Sequence, residues 1–79
     1  MKGTEVYLLW ATVDNGKVNL FQELWGIYAN IEDATNKLHE HYDECKNEGV
    51  TIAEDNLHYE IRQPSGHIRS EFIVSRKIQ

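Results

Sequence analysis

Residues 38–49, LHEHYDECKNEG, hold the densest set of chemically active side chains in the sequence. They include His39, His41, Tyr42, Cys45, Glu40, Asp43, Glu44 and Glu48. A zinc centre would need three or four ligands converging tetrahedrally. His39 and His41 are two apart, about 200° of rotation on a helix, so they point away from each other. His41 and Cys45 stand at i and i+4 and share a face. His58 or His67 would have to complete the set from a strand, and neither H-E-x-x-H nor C-x-x-C is present. Covalent catalysis would pair the Cys45 thiolate with His41, but nothing in the sequence supplies an oxyanion hole or a third, orienting group. The carboxylates would stand on a wet helix exterior, which leaves their acidity ordinary. The stretch therefore reads as the polar face and C-terminal half of an amphipathic helix. No catalytic residue, metal site or cofactor is expected, and the chain reads as a non-enzyme.

The elements around this stretch give the same picture. The helix is expected over about residues 31–48. Asn30 is its N-cap, Asp33 a partner in a capping box, and Gly49 the C′ residue that ends it. Ile31, Ala34, Leu38, Tyr42 and Cys45 recur at helical spacing and form the stripe that should be buried. Before the helix, strands are expected at 5–13 and 17–28, joined by a two-residue turn at Asn15-Gly16. That turn would pair Val13 with Val18, Trp10 with Phe21 and Val6 with Trp25. It would split the hairpin into two faces, both apolar. One face carries Tyr7, Leu9, Leu20 and Leu24. The other carries Val6, Leu8, Trp10, Phe21, Trp25 and Ile27. A single helix covers only one face, so the Trp10, Phe21 and Trp25 face is expected to meet a second copy or another protein.

After the helix, Leu57, Tyr59 and Ile61 alternate with His58, Glu60 and Arg62. Gln63-Pro64-Ser65-Gly66 should turn the chain back. Pairing Ile61 with Ile68 and Leu57 with Phe72 would set Glu60 opposite Arg69 and His58 opposite Glu71. A bulged turn would move that register by one. The fold class is then α+β: a single domain over 1–79, with a four-stranded, mostly antiparallel sheet in the order ββαββ and one helix on one face.

Composition narrows the function. Hydrophobic residues are 41% and charged residues 27%, a globular balance. One cysteine allows no intrachain disulfide, and neither a signal peptide nor a membrane-length apolar run is visible, so a cytoplasmic location is expected. The net charge of −5 is the wrong sign for generic phosphate-backbone binding. It is also unevenly placed. From Ile31 to Glu48, six acids and two lysines give −4, while from Ile61 to Gln79 Arg62, Arg69, Arg76 and Lys77 against Glu71 give +3. Glu40, Asp43, Glu44 and Glu48 thus read as a surface aimed at a basic partner protein.

The run LWGIYANIEDATNKL adds a resemblance. Gly26, Ile27, Tyr28, Asn30, Glu32 and Ala34 match a strand-cap-helix pattern in small phage and prophage domains of unknown function. Asn30 stands where serine is more usual, which keeps the capping chemistry. The resemblance covers about residues 5–42 and implies the fold and a mobile-element origin, but carries over no catalytic residue. The functional expectation is a small acidic interaction protein of phage or mobile-element origin. It would bind a host protein, for instance as an inhibitor of host defence of the anti-CRISPR kind. The alternative is a nucleic-acid-binding accessory protein using the basic second hairpin.

Overall fold

The computed structural model describes the backbone of residues 4–14 and 20–78, and the side chains of 4–12 and 22–77. Five strands and one helix follow in the order β1 (Thr4–Asp14), β2 (Leu20–Tyr28), α1 (Ile31–Cys45), a 3-10 turn (Lys46–Glu48), β3 (Val50–Asp55), β4 (His58–Arg62) and β5 (Ile68–Ile78). The strands form one antiparallel sheet in the order β2-β1-β5-β4-β3. The first and last strands meet at its centre, paired from Thr4 with Ile78 to Asp14 with Ile68. Leu9, Ala11, Tyr59 and Ile61 from the sheet and Ala34, Leu38 and Cys45 from α1 are buried between the layers. Tyr28, Tyr42 and Ile73 pack against them. Ile31, expected on the buried stripe, is 41% exposed because it sits at the first turn, beyond the core.

The helix starts as its sequence dictates. Asn30 is extended, its side-chain oxygen accepts from the Asp33 backbone N–H at 2.9 Å, and its amide donates to the Asp33 carboxylate at 3.0 Å. Its end differs from expectation. Gly49 is extended, with φ −173°, and is not a left-handed C′ residue. A glycine is needed there because a Cβ would come within 2.2 Å of the Arg62 carbonyl oxygen.

The strand count and the registers also differ. β3 was not expected. Its residues, VTIAED, read as a strand once Asn56 and Leu57 are seen as a two-residue turn, closed by Leu57 N–H donating to Asp55 Oδ1 at 2.8 Å. Leu57 is therefore a turn residue, 45% exposed, and not a core-facing strand position. The second hairpin is shifted by one residue: His58 pairs with Phe72, Tyr59 with Glu71, Glu60 with Ser70 and Ile61 with Arg69. The cause is the turn. Gly66 N–H donates to Gln63 O, Gln63 N–H donates to His67 O, and Gly66 takes a positive φ of 93°. That conformation inserts one extra residue and suits glycine.

In the first hairpin Trp10 pairs with Leu24, not Phe21, Val13 pairs with Phe21, not Val18, and Tyr7 pairs with Tyr28. The turn expected at Asn15-Gly16 lies outside the described residues. A bulge between Leu9 and Trp10 leaves Trp25 as the extra residue. It lands on the helix side, edge-on to His41 with ring centroids 5.4 Å apart.

Candidate functional site

The one-residue shift in β5 changes the chemistry of the core. Alternation now aims Glu71 and Arg69 at the helix, beside Tyr59 and Ile61. Ile68, Phe72 and Val74 go to the opposite face. Glu71 is completely buried. Its Oε1 lies 2.7 Å from His41 Nδ1, and its Oε2 accepts a bond from the Tyr59 hydroxyl. The Cys45 thiol donates to the Tyr59 oxygen at 3.7 Å. Two donors thus converge on the two oxygens of one carboxylate, the pattern a buried acid requires. The Arg69 guanidinium stacks over Trp25, 5.2 Å from the ring centroid, and its Nε is buried without a hydrogen-bond partner. Burial opposes its charge, but its acidic neighbours, Glu71 among them, outweigh that and raise its pKa.

Two further acidities are displaced. Burial first, then the hydrogen bond to Glu71, holds the Tyr59 phenol well above its ordinary 10.0. Burial pushes the Cys45 thiol above its ordinary 9.0, against an opposing effect of its hydrogen bond to Tyr59. Cys45 is 2% exposed, so it is a protonated, enclosed thiol and a poor nucleophile. His41 with Glu71 has the form of a base with its orienting carboxylate. The thiol that would complete a triad is turned to Tyr59 instead. Among the described residues, no three His, Cys, Asp or Glu side chains converge as metal ligands would. The sequence reading missed Glu71 because the unshifted register put it on the outer face. The signal was Gly66, at the position that makes a bulged turn.

The expected partner-binding acids stand in solvent. Glu40, Asp43 and Glu44 are exposed on α1, which Ala34, Leu38 and Cys45 anchor and which stops at Cys45, short of the expected 48; Glu48 is exposed in the 3-10 turn that follows. Lys37 bonds Glu40 at 3.4 Å and Lys46 bonds Asp43 at 3.3 Å, while Glu44 and Glu48 make no ion pair among the described residues. The strands add to this field. Glu5, Glu23 and Glu54 are exposed and share the helix side with Leu9, Ala11 and Tyr59, by alternation and register. The helix side as a whole is therefore acidic, which the helix sequence alone did not reveal.

Among the described residues, the opposite face of the sheet carries no helix. Leu24, Trp10 and Phe72 lie in one row across β2, β1 and β5, and Ile27, Leu8 and Val74 in the next. Ile27 is 62% and Leu24 43% exposed. Of the residues expected on an open hairpin face, Trp10 lies here. Trp25 does not, because the bulge turns it to His41, and Phe21 has its side chain outside the described residues. The four basic residues of the alternative reading are split between faces. Arg62 and Arg76 alternate with the open-face residues, whereas Arg69 and Lys77 fall on the helix side. No helix among the described residues is long and apolar enough to cross a membrane. Comparison with protein-family models, with curated proteins and with solved structures finds no match to this chain.

Proposed function

We propose that this chain is a non-enzymatic interaction protein that acts by binding another protein through its acidic helix side. The observation that carries this reading is the alignment of charge with architecture. The exposed acids of α1 and Glu5, Glu23 and Glu54 of β1, β2 and β3 share one side of the sheet, while Asp55, paired with His58, falls on the other. Like charges at i and i+4 cost a helix a few tenths of a kcal/mol per pair, roughly, so folding alone does not favour Glu40 with Glu44 on α1, and Glu48 carries the acidic run into the 3-10 turn. A concentrated negative field does favour fast, oriented association with a basic surface. The partner is a protein with an exposed basic patch. A patch that otherwise holds nucleic acid fits this chemistry, as does a host target of a mobile-element protein.

The test is affinity capture from the native host, with the wild type and the Glu40→Lys, Glu44→Lys, Glu48→Lys variant as paired baits, read by mass spectrometry. A basic protein held by the wild type and lost from the variant supports the reading. Identical captures with both baits, or nucleic acid alone with both, would refute it.

A further inference from the structure

We infer that the open sheet face is the contact surface of a homodimer, in which two copies pack face to face and leave their helices outermost. This goes beyond the partner-binding reading and uses the other surface of the molecule. The apolar rows Leu24, Trp10, Phe72 and Ile27, Leu8, Val74 are continuous across three strands. The molecule is a slab of 49 × 26 × 15 Å. In outline its broad face is on the order of 1,000 Å², enough to contain the roughly 800 Å² per partner of a standard stable interface. Two apolar sheet faces pack about 10 Å apart, as in a β-sandwich, and that would complete the second half of a core that the single helix leaves unbuilt.

Charge sets how a second copy is oriented. Each chain carries −5, so two copies repel in most orientations. The exposed acids of the helix side are the main source of that repulsion, and face-to-face packing of the sheets holds them farthest apart. The open face itself carries both signs. Arg76, paired with Val6, borders one end of the apolar rows, and Glu60, paired with Ser70, borders the other, with Arg62, paired with Ile68, one position farther out. A two-fold axis running across the strands sets the Arg76 end of each copy over the Glu60 end of its mate. The same patch then serves both chains, as an isologous interface requires.

Sedimentation velocity on the purified full chain tests this, with circular dichroism to verify folding. The wild type should sediment at twice the 9.2 kDa chain mass. Trp10→Ser should weaken dimerisation by roughly 30-fold, the effect of losing a central aromatic anchor. A second pair of variants does not depend on the core. Arg76→Glu and Glu60→Arg should each weaken the dimer, and the double exchange should restore it. A wild type that stays monomeric at high concentration overturns the inference. So does a dimer indifferent to Trp10→Ser and to both charge variants, because its interface would then lie elsewhere. The helix variant Glu40→Lys, Glu44→Lys, Glu48→Lys should keep the dimer mass, so failure here and failure of the partner reading are separable.

Discussion

Glu71 sits where a β-sheet core ordinarily holds an aliphatic side chain. Its carboxyl group is partnered by Tyr59 and His41, yet enclosing so polar a group costs more than an apolar residue of the same size would. Glu71→Ala should remove the acceptor and leave two donors facing a hole, lowering stability by about 3 kcal/mol. Glu71→Gln, which keeps the volume, should cost less; urea unfolding of both variants measures the difference. Tyr59 gives a pH prediction. Its folded-state pKa is displaced upward from 10.0, so its contribution to stability is complete below that pH and is lost as the pH rises beyond it. Unfolding free energy measured from about pH 9 to about pH 11 should therefore fall, and Tyr59→Phe should flatten the fall. An equally steep decline in the variant would place the alkaline sensitivity in another group.

At the scale of elements, close approaches and bulges decide what the chain becomes. Gly49→Ala should destabilise by about 2 kcal/mol or more, because the intruding Cβ meets backbone, which must move. Gly26→Ala meets only the ring of Tyr28, which can rotate, and should cost less. Thermal unfolding of the two variants compares them directly. The same scale explains what was legible in the sequence. The helix, its Asn30 cap and its Ala34, Leu38 and Cys45 face follow from spacing and capping chemistry that act within a few residues. The registers do not. One extra residue at Gly66 and another at Trp25 reverse which side chains face inward, and the alternation of apolar residues is ambiguous when both faces are apolar. β3 was overlooked because its exposed residues show no alternation of burial to betray a strand. The acidic helix row could be read from the sequence, but its extension through Glu5, Glu23 and Glu54 needed the sheet order.

For the whole molecule, the two sides have different work. In the proposed reading the apolar side would meet a second copy, and the acidic side would meet a basic protein. The most direct test of the central claim is the association rate of the captured partner as a function of ionic strength, for the wild type and for Glu40→Lys, Glu44→Lys, Glu48→Lys. The substituted positions are exposed, so the fold should persist. At low salt the variant should associate roughly tenfold more slowly or worse, and the dependence of its rate on salt should shrink or reverse. An unchanged rate at low salt would contradict the account and leave the acidic side as a solvated surface.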